Sequence, residues 1–200
     1  MTWTSDWWFY NYYKIIKLNG GISMINDVKK LTVSGILLSV GFILHQIAPA
    51  GLGAVTFDYM TAILFIIIAI NKDFKTSLVA GIAAGIIAAL TTKFPGGQLP
   101  NIIDKTITSM VVFLLMSLGN NLPQGIKMGI IGFLGTIVSG SIFLGSASVF
   151  AGLPDAFSVL FFSVVLPTAI SNIFVCAFLY KLITTSIKKV NPTLLEQIQG

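Results

Sequence analysis

From residue 31 to residue 187 the chain alternates between long apolar stretches and short polar interruptions. A helix needs about 20 apolar residues to cross the hydrocarbon core of a bilayer. The pattern predicts six transmembrane helices, at residues 31–48, 57–70, 76–92, 102–118, 126–150 and 156–187. The second and third are short for a full crossing, and the last is long enough to continue into water. Each interruption contains proline, glycine or asparagine, the residues that favour turns.

The composition also indicates a membrane protein. Hydrophobic residues make up 55% of the 200 residues and charged residues only 10%, whereas soluble domains carry about 25% charged residues. So little charge implies that much of the surface faces lipid. The expected fold is an all-α membrane protein, a bundle of six transmembrane helices with no room for a separate soluble domain. The six-helix domain is expected at 31–190, between an aromatic and basic extension at 1–30 and a tail at 191–200.

The lysines predict the orientation of the bundle. All 12 basic residues are lysines, and only Lys93 and Lys105 fall on one of the two sides that a six-helix count defines. The other ten precede the first span, lie in the second and fourth connections, or follow in the tail. Because positive charge concentrates on the cytoplasmic side of a membrane, both termini are expected in the cytoplasm. With five or seven spans, the lysine-rich segments would fall on both sides of the membrane, so the asymmetry also supports six.

The segment before Met24 is unusually aromatic, with seven aromatic residues among the first 13. Such a segment could anchor the chain at the membrane interface. The alternatives are a disordered extension, or a protein that starts at Met24.

The third connection carries the most informative chemistry. Residues 91–105 read TTKFPGGQLPNIIDK, with Pro95, Gly96 and Gly97 predicting a tight non-helical path that leaves backbone polar groups free. Asn101 is expected at the N-cap of the fourth span, with Asp104 three residues later as in a capping box.

These polar residues have two interpretations. They could serve only capping and topology, or they could form a site for a zwitterion with an amine and a carboxylate. In the second interpretation Asp104 pairs with the amine, and Phe94 stacks on a flat ligand. The Asn101 side, Lys105 or Lys93 receives the carboxylate.

A second group of candidates should lie at the same end, because odd-numbered connections share a side. His45 ends the first span and Asp58 opens the second. Each could be only a cap or a complement to a helix dipole. Asn172, inside the sixth span, is a further candidate ligand contact, since a buried amide in a membrane needs a partner.

Small residues recur at four-residue spacing in three spans, which allows helix backbones to approach closely in lipid. In spans three and five this predicts packing inside the bundle. In span one, at Gly35 and Ser39, a partner protein is a serious alternative. The small residues in spans three and five are Gly81, Gly85, Ala89, Gly132, Thr136 and Gly140.

Several chemistries are not indicated. The sequence has no GxxxxGK[ST] phosphate loop, no HExxH motif and no cysteine–histidine cluster, so ATP hydrolysis by that loop and zinc proteolysis are not expected. Cys176 is the only cysteine and cannot form an internal disulfide. The span interiors are expected to lack the acidic pairs of a proton relay. The protein is not expected to be an enzyme.

The run FPGGQLPNIIDK at residues 94–105 resembles the signature of the tryptophan transporter family, among the substrate-binding (S) components of energy-coupling factor importers. His45, Pro49, Gly53 and Asp58 also match that family's pattern, and the similarity covers about residues 31–189. One departure is Thr56, where the family commonly has a lysine; it leaves the carboxylate partner open.

The resemblance implies a six-helix bundle with a substrate pocket near the outer face, closed by connections one, three and five. It implies partners: a transmembrane coupling protein and two ATPase subunits, which use the ATP, so that this chain needs no cofactor. Small residues of span one would contact the coupling protein, here Ser34, Gly35 and Ser39. In the pocket, polar recognition would come from Gln98 and Asn101, and backbone contacts from Gly96 and Gly97.

The leading hypothesis is therefore a tryptophan-capturing subunit of an ATP-driven importer. The first alternative is a solitary permease driven by an ion gradient and carrying a small aromatic solute. The second is a membrane interaction protein that transports nothing. The exact substrate is not fixed by the sequence.

Overall fold

The structure is a computed structural model, and it describes residues 27–47, 58–118, 122–191 and 193–194. Most of the aromatic extension, the greater part of the first connection with Pro49, Gly53 and Thr56, and the end of the tail lie outside these residues.

All regular secondary structure in the described ranges is helical. The six helices are α1 Asp27–Ile47, α2 Tyr59–Asn71, α3 Phe74–Thr91, α4 Gln98–Ser117, α5 Gln124–Phe150 and α6, which runs from Phe157 to Val190. All except α2 are long and apolar enough to cross a membrane. The predicted all-α bundle of six helices is confirmed, whereas the sidedness of its termini stays a prediction.

Helix α2 occupies the centre of the bundle. Twelve of its 13 residues are buried, and it contacts α3, α4, α5 and α6. Helix α1 covers it as well, since Gly41 lies against Met60 and Ile63. At 1.5 Å per residue, α2 is about 20 Å long, shorter than the roughly 30 Å hydrocarbon core. Because its neighbours enclose it, α2 meets protein rather than lipid, and its apolar character fills the core.

Helix α4 begins four residues before the predicted start. Gly97 is its N-cap and Gln98 its first residue, so Pro100 lies in the first turn. Proline is tolerated there, because the first-turn N–H groups have no partner within the helix anyway. The prediction of an N-cap at Asn101 with a capping box to Asp104 is therefore wrong. Asn101 instead lies inside the helix, where its amide donates to the Gly97 carbonyl at 2.7 Å.

Helix α3 begins at a capping aspartate on the connection from α2. Asp73 accepts hydrogen bonds from the backbone N–H and the hydroxyl of Thr76, at 2.8 and 2.6 Å. Partial burial acts to raise the pKa of Asp73, but the Thr76 hydrogen bonds and the charges of Lys30 and Lys75 hold it below its usual value. The cap fixes where α3 starts and is unrelated to the candidate site.

Helix α6 contains a π-helical turn at Phe161–Val165, between Phe157–Leu160 and Leu166–Val190. The N–H of Leu166 reaches the carbonyl of Phe161, five residues back. Pro167 follows at once, and proline inside a helix removes one ordinary hydrogen bond. The wider turn lets α6 continue past that proline, and such turns are frequent at functional sites.

Close glycine contacts hold the helix pairs together. A Cβ added to Gly81 would overlap Ser109 of α4, and one added to Gly132 would overlap the backbone carbonyl of Asn172 in α6. Gly140 meets Val165 in the same way. The predicted packing role of the small residues is thus confirmed for α3 and α5. Gly35 differs, because a Cβ there would meet nothing within 4 Å.

Two substitutions in α5 should separate packing from helix propensity. Gly132→Ala should destabilise the protein by about 1–3 kcal/mol, because the added methyl pushes α5 and α6 apart. Gly145→Ala should instead stabilise it by about 0.5–1 kcal/mol, because a Cβ at Gly145 meets nothing within 4 Å. Thermal unfolding in detergent, followed by circular dichroism, measures both. Equal effects of the two changes would contradict the close α5–α6 contact.

Candidate functional site

Connections one, three and five meet at one end of the bundle. The ammonium of Lys93, after α3, donates to the carbonyl of Gln46 near the end of α1 at 3.4 Å. A Cβ added to Gly96 would lie 2.8 Å from the Cβ of Ala151, which follows α5. The expectation that these connections share an end is confirmed for the residues described.

A buried lysine bridges two aspartates at this end. The Lys105 ammonium lies 2.5 Å from Oδ2 of Asp58 and also pairs with Oδ2 of Asp104. It donates as well to the Ser139 hydroxyl at 3.3 Å. Lys105 and Asp104 are each 1% exposed. Such burial is costly for charges unless they are paired and hydrogen-bonded.

Hydroxyl groups complete the pairing of both carboxylates. Asp58 caps α2, accepting from the backbone N–H of Thr61 at 3.1 Å and from its hydroxyl at 2.7 Å. Asp104 accepts from the hydroxyls of Thr108 and Ser139, both at 2.9 Å. Only Asp104 of this pair lies inside a helix, since Asp58 is the N-cap of α2, so the expectation that span interiors lack an acidic pair is not contradicted. Asp104 lies inside α4 rather than in a loop, and the packing of α2 against α4 brings Asp58 beside it.

His45 lies next to this cluster. Its Nδ1 is 3.7 Å from Oδ1 of Asp58, too far for a hydrogen bond, and has no hydrogen-bond partner among the described residues. The side chain is 6% exposed. Buried polar atoms normally have partners, so the unpaired nitrogen marks a place where a ligand group could bind.

A cavity opens beside the cluster, with a volume of about 70 Å³. Small-molecule sites usually measure about 300–1,000 Å³ and combine apolar walls with a few placed polar groups. This cavity has both kinds of lining, but it is smaller than such sites, so its walls must move apart to admit an amino acid. Its polar wall contains His45, Asp58, Thr61, Thr92, Asn101, Asp104, Thr136, Ser139 and Thr168, and its apolar wall contains Phe94, Phe143, Leu144, Val164 and Val165.

The apolar wall is aromatic at one point. Phe94 is 4% exposed and packs edge to face on Phe143, with ring centroids 5.5 Å apart. Val164 and Val165 come from the π-helical turn of α6, which brings them to the cavity. The cavity therefore has an aromatic surface against which a flat apolar group could pack.

Other predicted site residues shape the turn before α4. Gly96 has a φ of 73°, a conformation that favours glycine. The N–H of Gly97 donates to the Phe94 carbonyl at 3.0 Å. Gln98 is exposed, and none of the three lines the cavity. Their direct contact with a ligand stays a prediction.

Asn172 reaches the cavity through a neighbour. Its side-chain amide donates to the Thr136 hydroxyl at 2.8 Å, and Thr136 lines the cavity. Asn172 is fully buried, and its Oδ1 has no hydrogen-bond partner in the described structure.

Sequence reasoning misses the contribution of α5 to the site. Ser139 and Phe143 have no distinguishing signal, whereas the spacing of Thr136 and Gly140 predicts only packing. All four line the cavity.

The residues proposed for partner contact divide between two faces of α1. Gly35 and Ser39 are exposed, and the Ser39 hydroxyl donates to the Gly35 carbonyl at 2.9 Å. Ser34 is only 4% exposed and accepts from Asn71 of α2 at 3.2 Å. Ser34 thus faces the bundle interior, and the outward small face consists of Gly35 and Ser39.

Comparison with known proteins agrees with the resemblance found in the sequence. The profile of the family described as Tryptophan transporter TrpP matches residues 27–188. A protein named "Probable tryptophan transport protein" from Clostridium perfringens is 42% identical over 83% of this chain and 97% of its own length. Proteins of the same name from Clostridium acetobutylicum and Bacillus subtilis are 44% and 37% identical, over 82% and 80% of this chain and 96% and 94% of their own lengths.

No solved structure gives a significant match. The family match and the apolar helices together identify a multi-pass membrane protein. The matched region covers every described helix from α1 to α5 and nearly all of α6, and so includes the whole cavity. The chain belongs to the tryptophan transporter family.

Proposed function

We propose that this protein captures tryptophan in the cavity at the end of the bundle. The observation that carries the proposal is that one cavity is lined both by the Asp58 and Asp104 carboxylates and by the rings of Phe94 and Phe143. An amino acid with an aromatic side chain has a cation and a flat apolar ring, which match these walls. Membership of the tryptophan transporter family supports the same substrate.

In this proposal the ligand ammonium lies beside Asp104 and Asp58, and the indole ring lies against Phe94 and Phe143. The neutral donors of the cavity contact the ligand's remaining polar atoms. Burial strengthens these interactions, because a charge pair shielded from water is weakened little by solvent.

The proposal extends to energy coupling. The chain is the substrate-capture subunit of an energy-coupling factor importer, and partner ATPases supply the energy through a transmembrane coupling protein. Two features support this: the sequence has no phosphate-binding loop of its own, and α1 exposes a small-residue face at Gly35 and Ser39. Both termini lie in the cytoplasm and the cavity faces outward, as the lysine distribution predicts.

Direct titration tests the substrate. Full-length protein purified in detergent should bind tryptophan with a dissociation constant well below about 1 mM, measured by calorimetry. Calorimetry is preferable to fluorescence because Trp3, Trp7 and Trp8 would contribute background emission. Alanine, which has the same charged groups without a ring, is the matched ligand control and should bind far more weakly. Absence of heat with millimolar tryptophan would exclude the proposed substrate.

The buried acidic pair favours one alternative, a permease driven by a proton gradient. Carboxylates inside membrane helices can serve as proton carriers, and Asp104 and Asp58 share one lysine here. Uptake by whole cells distinguishes the two mechanisms. Loss of uptake on deletion of the partner ATPases supports the importer, whereas uptake that persists without them and stops with a protonophore supports the permease.

A further inference from the structure

The cavity end of the bundle has few cationic groups. Residues 48–57, in the first connection, contain no charged side chain, and the fifth connection contributes only Asp155. Among the residues that the structure describes, the groups at this end that can carry positive charge are Lys93, Lys105 and His45. A ligand carboxylate would need one of these three for an ion pair.

Lys105 is fully engaged. Its ammonium has three protons, and it contacts Asp58, Asp104 and the Ser139 hydroxyl. To meet a ligand carboxylate it would have to abandon a buried aspartate, which leaves that charge unpaired at large cost. Lys93 does not line the cavity; its exposed ammonium reaches the Gln46 carbonyl.

The hydroxyl donors of the polar wall are also largely committed. Thr61 donates to Asp58, Ser139 to Asp104 and Thr168 to the carbonyl of Val164. Asn101 uses one amide N–H on the Gly97 carbonyl. Among the described side chains that line the cavity, the donors that remain for a ligand are the second N–H of Asn101, the hydroxyls of Thr92 and Thr136 and the imidazole of His45, none of which is a fixed cation.

The net charge of the Asp58–Lys105–Asp104 cluster also favours a ligand ammonium over a ligand carboxylate. With both aspartates ionised and Lys105 charged, the cluster carries one net negative charge. A ligand ammonium therefore reduces this imbalance, whereas a ligand carboxylate increases it.

We propose that the cavity selects aromatic primary ammonium compounds through the ammonium and the ring, and holds a carboxylate through neutral donors only. The substrate class is thus wider than aromatic amino acids: it includes the decarboxylated amine and excludes the deaminated acid. This inference rests on the proposed capture of tryptophan by the same cavity.

Competition against radiolabelled tryptophan, with the purified full-length protein, tests the inference. Tryptamine, which has the ring and the ammonium, should compete within about tenfold of tryptophan. Indole-3-propionate, which has the ring and the carboxylate, should be at least about 30-fold weaker, because it lacks the charge that the aspartates pair with. Lys93→Gln should leave the affinity for tryptophan within about threefold of the unsubstituted protein.

Different results would contradict the inference and the proposed function. If tryptophan binds but tryptamine does not compete, or indole-3-propionate competes as well as tryptamine, the inference fails and the proposed function stands. If Lys93→Gln lowers the affinity for tryptophan tenfold or more without affecting tryptamine, Lys93 is the carboxylate partner and the inference again fails. If labelled tryptophan does not bind at all, the proposed function itself fails; direct calorimetry with tryptamine then shows whether the ammonium site exists.

Discussion

Asp104→Asn should lower the affinity for tryptophan by at least about 30-fold while leaving the protein folded. Losing one charge of a buried ion pair costs about 2–5 kcal/mol, which corresponds to that loss or more. Folding should survive, because asparagine has nearly the same volume and can still accept from Thr108, and Lys105 keeps Asp58 as its partner. Calorimetry with tryptophan measures the affinity, and thermal unfolding of the same preparation shows whether the variant is intact.

Asp155→Asn is the matched control for Asp104→Asn. Asp155 lies at the same end of the bundle, in the fifth connection, but it is exposed and accepts a hydrogen bond from the N–H of the next residue. The same change of charge there should alter the affinity less than twofold or so. Equal effects of the two substitutions would mean that a diffuse negative field, rather than the buried carboxylate, attracts the ligand.

Lys105→Met should destabilise the protein by about 3–5 kcal/mol, because two buried carboxylates lose their common counter-charge. Methionine keeps most of the volume, so little of the effect arises from a cavity. The thiol of Cys176, fully buried and the only cysteine of the chain, offers a direct readout. A thiol-reactive dye should label it at a lower temperature in the variant. Lys93→Met, at an exposed lysine of the same end, should cost no more than about 1 kcal/mol.

A triple variant tests whether Lys105 stabilises the protein through its charge or through its packing. Asp58→Asn and Asp104→Asn, added to Lys105→Met, remove the uncompensated charges and should restore much of the lost stability. Binding of tryptophan should not return, because the ligand ammonium would have no carboxylate to pair with. If the triple variant is as unstable as Lys105→Met alone, the lysine contributes through packing and the electrostatic explanation is wrong.

The helices were predictable because hydrophobic length is a strong signal in a membrane protein. Apolar runs gave the six helices and most of their bounds to within a few residues. The start of α4 was misplaced because Pro100 resembles a break, although proline in a first turn is compatible with a helix. The short α2 could be recognised as short, but its central position depends on contacts that the linear pattern does not record.

The candidate site was predictable only where its residues are neighbours in sequence. The run from Phe94 to Lys105 contains much of the cavity's chemistry in a single segment. Ser139 comes 34 residues after Lys105, and the bond between them depends on how α5 packs on α4. Likewise the pairing of Lys105 with Asp58 follows from the packing of α2, and no local pattern of charge indicates it.

Because α2 is short and enclosed, the position of its first residue can set the size of the binding site. Asp58, the N-cap of α2, and Thr61, in its first turn, line the cavity. The position at which this helix begins therefore sets the volume of the cavity. If α2 began one turn earlier, its first residue would lie about 5.4 Å further into the cavity. The lipid-facing surfaces of the outer helices would not change. Related proteins could therefore evolve binding sites for smaller or larger solutes by shifting one enclosed helix end, without redesign of the surface that the bilayer sees.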